Sequence, residues 1–93
     1  MIESFACKET EKIFRRQFSK RLPTDLQQIA YRKLKMLHRS STIQDLRVPP
    51  ANRLEALSGD RKGQYSIRIN QQWRICFEWI DGNARNVEIV DYH

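Results

Sequence analysis

The last three residues of the chain, Asp91, Tyr92 and His93, put a carboxylate, a phenol and an imidazole side by side. Histidine has the side-chain pKa nearest to neutrality, so His93 could accept or donate a proton near pH 7. The tripeptide directly follows residues 86–90, whose pattern predicts a β-strand. If the sheet orders this end, it is the best candidate for a chemical site. The alternative is a mobile C-terminal tail.

A second candidate is Arg74, which lies in the alternating segment 73–79. Because side chains alternate between the two faces of a strand, the pattern places Arg74 and Tyr92 on the same face of the sheet. A fixed guanidinium can grip phosphate through two parallel hydrogen bonds and stabilise charge that develops on it. The alternative for Arg74 is a cross-strand ion pair with Glu88 or Glu78.

Other reactive side chains give weaker signals. Cys76 has no histidine predicted beside it, which argues against a cysteine nucleophile. His38 falls at a predicted helix end, where a capping role is expected rather than a ligand role. Two His and two Cys residues at scattered positions make no zinc pattern, and the turn 59–63 lacks the Gly-Lys-Ser/Thr ending of a nucleotide-binding loop. Arg61 and Lys62 at the tip of that turn could hold a nucleic-acid backbone or simply face solvent.

The size and charge of the chain narrow the class of protein. Its 93 residues suit a single domain, 1–93, with one modest core. The net charge of +6 is uneven, with eleven basic and five acidic residues through Arg47 and six of each afterwards. Such a field suits a polyanion or an acidic protein partner, although a solvated helix surface would look the same.

The chain also lacks the features of an exported or membrane-inserted protein. No apolar run approaches the ~20 residues of a membrane span. The first residues lack the basic start and apolar stretch of a signal peptide. The two cysteines, Cys7 and Cys76, are typical of reduced thiols rather than of a disulfide framework. These features predict a soluble cytoplasmic protein without membrane contact.

Hydrophobic spacing predicts a strand, two helices and then a run of antiparallel strands. A short strand is predicted at 2–5, a helix at 10–19, and a second helix that starts at Thr24-Asp25 with polar caps and runs to about His38. The connector at 40–52 is predicted to have one helical turn near 42–46 and no regular structure at Pro49-Pro50. Strands are predicted at 53–57, 65–69 and 73–79, followed by a hairpin turn at Asp81-Gly82 and a last strand at 86–90. This order predicts an α+β fold with two N-terminal helices packed on one face of an antiparallel sheet.

Periodicity also assigns side chains to faces. The helix stripes are predicted at Ile13, Phe14 and Phe18 and at Leu26, Ile29, Ala30, Leu34 and Leu37. The sheet face toward the helices is predicted to carry Tyr65, Ile67, Ile69, Trp73, Ile75, Phe77, Val87 and Ile89. The opposite face then carries Arg68, Arg74, Cys76, Glu88, Val90 and Tyr92.

Three stretches together resemble a known family. They are residues 53–67 with their Gly-Asp-Arg turn, residues 70–75 with Trp73-Arg74, and the terminal Val90-Asp91-Tyr92-His93. In combination they resemble the HigB branch of the RelE/ParE toxin superfamily, the toxins of bacterial toxin–antitoxin pairs. The resemblance covers essentially the whole chain and implies a RelE-like fold.

The resemblance also implies an activity and its residues. It implies a ribosome-dependent mRNA endonuclease that needs no metal and no other cofactor. Asp91, Tyr92 and His93 match the family's C-terminal catalytic residues, and Arg74 matches its sheet arginine. Glu55 stands where some HigB toxins have a catalytic histidine; it could act as a base but would repel phosphate. The residues implied to grip the RNA backbone are Arg61, Lys62 and Arg68.

The implied partners are the ribosome with its mRNA and a HigA-like helix-turn-helix antitoxin, with operator DNA contacted only through that antitoxin. Ser58 departs from the family pattern as well, because some of these toxins have a basic residue just before the turn glycine. Together with Glu55, this departure predicts weakened or retuned cleavage. Two other functions stay open from the sequence: a ParE-like gyrase inhibitor, and a noncatalytic module that binds RNA or an acidic protein.

Overall fold

The computed structural model of the chain describes residues 1–92. Within them, the helices α1 (Lys8–Phe14) and α2 (Thr24–Arg39) precede the strands β1 (Glu55–Ala56), β2 (Gln64–Arg68), β3 (Trp73–Ile80) and β4 (Asn83–Asp91), with short 3-10 helices at Ile43–Arg47, Pro50–Asn52 and Gly59–Arg61. The strands form one antiparallel sheet in the order β1-β2-β3-β4. The predicted α+β architecture is therefore confirmed.

The core lies between the helices and one face of the sheet. The sheet face predicted to meet the helices does so, because the core cluster includes Ile13, Leu26, Ala30, Leu34, Leu37, Leu46, Ile67, Ile69, Ile75, Phe77, Ala84, Val87 and Ile89. Tyr65 and Trp73 are only partly buried and pack at the margin of this cluster. Period-two alternation thus identified the buried face correctly.

Helix α1 is shorter than the predicted helix at 10–19. It begins at Lys8 and ends at Phe14, and Arg16 then adopts a left-handed backbone with φ of 61°. That conformation cannot continue a right-handed helix. Phe18 therefore leaves the predicted apolar stripe and is 63% exposed.

Helix α2 confirms most of its predicted stripe. Leu26, Ala30, Leu34 and Leu37 are buried, whereas Ile29 is 40% exposed, so its place in the stripe was wrong. The predicted polar caps are also absent at its start: Pro23 occupies the N-cap position, where no side chain caps the free amides. The first turn closes instead with the amide of Leu26 donating to the carbonyl of Pro23.

The N-terminal segment lies along the outer edge of β4. Two isolated parallel bridges, Ile2 with Ala84 and Phe5 with Val87, replace the predicted continuous strand at 2–5. His38 Nδ1 accepts a hydrogen bond from the amide of Ile2 at 3.1 Å. The expected capping role of His38 is therefore wrong, because its ring nitrogen holds the N-terminal segment against α2.

The connector between α2 and the sheet is more regular than its prolines suggested. The predicted turn near 42–46 is the 3-10 helix Ile43–Arg47, which Thr42 and Asp45 close with reciprocal side-chain bonds to backbone amides. A second 3-10 helix begins at Pro50, contrary to the prediction of no regular structure there. Proline is compatible with a first helical position because its missing N–H would have no partner anyway.

The hairpin turn at Asp81-Gly82 is confirmed. Asp81 has φ of 52° and Gly82 has φ of 79°, the left-handed pair typical of tight hairpins. Since Asn83 pairs directly with Ile80, β4 begins three residues earlier than the predicted strand at 86–90. β1 is limited to Glu55–Ala56, shorter than predicted. No helix among residues 1–92 has the length and apolar character needed to cross a membrane.

Candidate active site

The sheet face away from the helices, here called the open face, carries the candidate site. Its strand register pairs Glu55 with Ser66, Ser66 with Cys76, and Cys76 with Glu88. Directly paired residues point to the same side of a sheet, so these four side chains form one row across all four strands. The neighbouring row pairs Arg68 with Arg74 and Arg74 with Val90.

Arg74 is the best-anchored polar side chain of this face. It is only 8% exposed, its Nε donates to Ser66 Oγ at 2.7 Å, and its Nη2 donates to the carbonyl of Arg53 at 2.7 Å. The expected alternative, an ion pair with Glu88 or Glu78, is wrong, because the ion pairs among residues 1–92 join other side chains. These two acceptors are neutral oxygens, so they hold the Arg74 guanidinium in place without neutralising its positive charge.

Tyr92 lies beside this guanidinium, on the sheet face that the alternation predicted for both residues. The Cζ atom of Arg74 is 5.7 Å from the centre of the Tyr92 ring, and the ring is partly exposed. The Tyr92 amide donates to the carbonyl of Gln72 at 2.6 Å. The backbone is thus bonded to the β2–β3 loop as far as Tyr92, so the alternative of a mobile tail does not apply to Asp91 and Tyr92.

Asp91 is ordered but belongs to the other side of the strand. It pairs with Trp73 in the sheet, and its carboxylate accepts a hydrogen bond from Gln72 Nε2 at 3.1 Å. The structure therefore does not bring Asp91 to the open face with Arg74 and Tyr92. The remaining member of the predicted tripeptide, His93, lies outside the described residues.

Arg61 occupies the open face rather than a solvated turn. Its Nη1 contacts Glu88 Oε1 at 2.8 Å and Gln64 Oε1 at 3.0 Å. The hydrogen bond that Arg61 donates to the Glu88 carboxylate raises the pKa of Arg61, which stays protonated at any physiological pH. Lys62, the neighbouring turn residue, is exposed. The turn thus directs Arg61 inward.

Cys76 lies at the centre of the row and is fully buried. Burial raises the pKa of its thiol, while the surrounding charges of Arg61, Arg74, Glu88 and Glu55 act in both directions. A neutral, buried thiol is a poor nucleophile. This environment agrees with the expectation that Cys76 is not one.

The structure therefore brings together Arg74, Tyr92 and Arg61, with Glu55 in the adjacent row. Arg68 lies opposite Arg74 and its Nε donates to the carbonyl of Asn70 at 3.0 Å. The sequence reasoning missed Ser66, although its place opposite Cys76 and one alternation from Arg68 could have indicated it. It also missed the carbonyl of Arg53, which no sequence pattern marks. Among residues 1–92, no group of three His, Cys, Asp or Glu side chains could hold a metal ion.

This arrangement can bind a phosphate ester. Two guanidiniums supply fixed donors and positive charge, and a partly exposed phenol supplies a surface for a base or a hydroxyl for a hydrogen bond. The Ser66 bond limits rotation of Arg74, so the cation is pre-oriented before a ligand arrives. An anionic group that sits over Arg74 would meet both the charge and the ring.

Comparison with known proteins gives a consistent result. The model of the HigB-like toxins, described as the RelE-like toxin of the type II toxin–antitoxin system HigB, matches residues 3–93. Toxin HigB-1 of Vibrio cholerae is 45% identical over 65 residues, which cover 70% of this chain and 68% of that protein. Endoribonuclease HigB of Proteus vulgaris is 33% identical over the full length of both chains.

A solved structure extends the similarity to the fold. A chain of the YoeB-YefM complex from Staphylococcus aureus superposes with a TM-score of 0.61 at 19% identity, covering 100% of this chain and 98% of that one. At this identity the match concerns the fold alone.

Proposed function

The chain belongs to the HigB-like toxins, the RelE-like toxins of type II toxin–antitoxin systems, and from this premise we propose that it is a ribosome-dependent endoribonuclease that cuts mRNA and so inhibits translation. The relative from Proteus vulgaris that aligns over its whole length carries the name of an endoribonuclease. The observation that carries the proposal is Arg74, a buried guanidinium held by Ser66 beneath Tyr92 on the open face.

The proposed reaction is a transesterification within the RNA. The ribose 2′-oxygen attacks the adjacent phosphorus, its proton passes to a base, and the bond from phosphorus to the 5′-oxygen breaks as that oxygen gains a proton. The products are a 2′,3′-cyclic phosphate and a 5′-hydroxyl. No oxidant, metal or external nucleophile is needed to balance this step.

In this proposal Arg74 stabilises the negative charge that develops on the phosphorane. His93 transfers the protons, Asp91 orients or polarises His93, and Tyr92 positions the RNA by stacking or hydrogen bonding. Glu55, one strand from Ser66, supplies a carboxylate where relatives of this branch can have a histidine.

Three basic side chains complete the proposed RNA site. Arg61, Lys62 and Arg68 grip the RNA backbone, Arg61 while it also contacts Glu88. Because Glu88 and Gln64 both bind Nη1, the other N–H groups of that guanidinium can meet phosphate.

The proposed partners follow from the family. A HigA-like helix-turn-helix antitoxin neutralises the toxin and carries the contact to operator DNA. The substrate is mRNA on the ribosome in the cytoplasm. The excess of positive charge in the first half of the chain supports docking on ribosomal RNA.

The direct test is cleavage of a defined message by the purified protein, with free RNA and programmed ribosomes compared in parallel. We expect cuts only on ribosomes, with 5′-hydroxyl ends. The same preparation is assayed for inhibition of DNA gyrase. Intact message together with gyrase inhibition would contradict the proposal and favour a ParE-like function. Binding to ribosomes without cleavage or gyrase inhibition would favour a noncatalytic module.

A further inference from the structure

A basic pocket of about 330 Å³ lies where α2 approaches the end of β2. Its lining residues are Lys33, Ala51, Arg53, Arg68, Ile69, Asn70 and Gln71. We call it the Lys33 pocket. Its volume falls at the small end of the range for ligand sites, enough for a phosphate with part of a nucleotide.

The Lys33 pocket is lined by three cations and by no carboxylate. The Nζ atom of Lys33 donates to Oδ1 of Asn52, a fully buried amide, at 2.5 Å. Burial lowers the pKa of Lys33, since its charge loses water without gaining an anion. An anion that entered the pocket would supply the missing compensation.

The Lys33 pocket adjoins the proposed cleavage site through two residues. Arg53 lines the pocket, and its backbone carbonyl accepts a hydrogen bond from Nη2 of Arg74. Arg68 lines the pocket and pairs with Arg74 across the sheet.

Arg68 is held in place but retains free capacity for a ligand. Its Nε donates to the carbonyl of Asn70 at 3.0 Å, which uses one of the five N–H donors of a guanidinium. Asn70 is itself fixed, because its Oδ1 accepts from the amides of Gln72 and Trp73. The pocket wall next to Arg74 is therefore built before a ligand binds.

We propose that the Lys33 pocket binds the RNA phosphate next to the one that is cleaved. The inference rests on the proposed function, because it places the scissile phosphate over Arg74. A single RNA strand that crosses the open face carries one negative charge per nucleotide. When one phosphate lies over Arg74, the next nucleotide therefore brings a second phosphate to the cations of the Lys33 pocket. Lys33 and Arg53 thereby join Arg68 as RNA-binding residues that set the register of the strand.

The test is an NMR titration of the folded protein with an RNA trinucleotide whose first two sugars lack the 2′-hydroxyl, so that neither linkage can be cleaved. We expect shifts at the amides of Asn70 and Gln71, and about 10-fold weaker binding for Arg68→Gln, the loss of one charge-assisted bond. Arg39→Gln removes the same charge from the end of α2, outside the pocket, and is expected to bind like wild type. Arg68→Gln leaves the buried Lys33–Asn52 bond intact, and a wild-type-like amide spectrum of the free variant checks its fold.

A second probe identifies the phosphate concerned. Replacing the non-scissile linkage by an uncharged methylphosphonate is expected to weaken binding to wild type about 10-fold but to change binding to Arg68→Gln little. Equal losses for both proteins would overturn the proposal. So would the absence of shifts at Asn70 and Gln71 at millimolar trinucleotide, or shifts there with an acidic peptide alone.

Cleavage on programmed ribosomes is scored separately with wild-type protein. If mRNA is cleaved but Arg68 and the non-scissile linkage show no coupling, the proposed phosphate binding at the Lys33 pocket is wrong and the endoribonuclease proposal stands. Coupling without cleavage discards the endoribonuclease and leaves a phosphate site.

Discussion

Arg74 is the residue on which the proposed chemistry depends most directly. Burying a cation costs free energy unless its donors are satisfied. Ser66 and the carbonyl of Arg53 satisfy two of them with neutral oxygens. Because these partners carry no negative charge, the positive charge of the guanidinium can still act on a bound phosphate.

The Arg74→Lys variant separates charge from geometry. Lysine keeps the positive charge but loses the planar pair of donors, so we expect single-turnover cleavage at saturating ribosomes to slow by about 10²–10³-fold. Arg85→Lys, which alters an exposed arginine paired with Glu3 at the far end of the sheet, is the matched control and should cleave like wild type. A rate within twofold of wild type for Arg74→Lys would contradict the proposed role.

At the residue scale the sequence predicted that Arg74 and Tyr92 share one face of the sheet, because alternation depends only on parity. The sequence could not predict that Glu88 forms its ion pair with Arg61 rather than with Arg74. That pairing depends on how far the turn at 59–61 folds back over the sheet, which three-dimensional geometry alone determines.

At the scale of elements, the N-terminal segment is held by a side chain that titrates. His38 Nδ1 accepts the Ile2 amide only when that nitrogen is unprotonated. Burial, chiefly, and the nearby charges of Lys35 and the N-terminus lower the pKa of His38 below its ordinary value of 6.5. The Phe14 ring packs against it at a centroid distance of 5.2 Å.

This lowered pKa predicts how stability changes with pH. Because the unfolded chain protonates His38 first as pH falls, the stabilisation is fully present above about pH 6.5 and is lost below it. We expect urea unfolding of wild type to lose between a few tenths and about 1 kcal/mol more than His38→Gln between pH 7.5 and 5.5. Glutamine keeps an acceptor at either pH, and other titrations, His93 included, are common to both proteins. Parallel pH profiles would show that His38 does not hold the segment.

Elements differ in how well sequence specified them. The stripe of α2 and the alternation of β2 and β3 were predictable because burial repeats with the period of the element. The end of α1 was not, because Arg16 in a left-handed conformation carries no compositional mark. Phe18 consequently sits exposed beside the groove between α1 and α2, where its apolar side chain had suggested a core position.

At the scale of the whole molecule, the helix layer and the sheet have different roles. The helix layer covers the core face of the sheet and carries much of the excess charge, with Arg32 and Arg39 exposed on α2. The open face carries the candidate site. Such a division lets an electrostatic surface dock on a polyanion while the sheet keeps Arg74 and Tyr92 in fixed relation.

The sequence could predict this division because eleven of the seventeen basic residues lie at or before Arg47, ahead of the strands. The site's C-terminal end is different. His93 is proposed as the proton carrier from its residue type and from the family pattern.

Primer-extension mapping of cellular transcripts after brief expression tests the central claim most directly. We predict new 5′ ends within translated messages for the wild-type protein, and none for His93→Gln expressed to the same level. Arg39→Gln, an exposed charge-loss control, should reproduce the wild-type ends. The account is contradicted if wild type leaves transcripts intact, or if His93→Gln produces the same cuts at the same frequency.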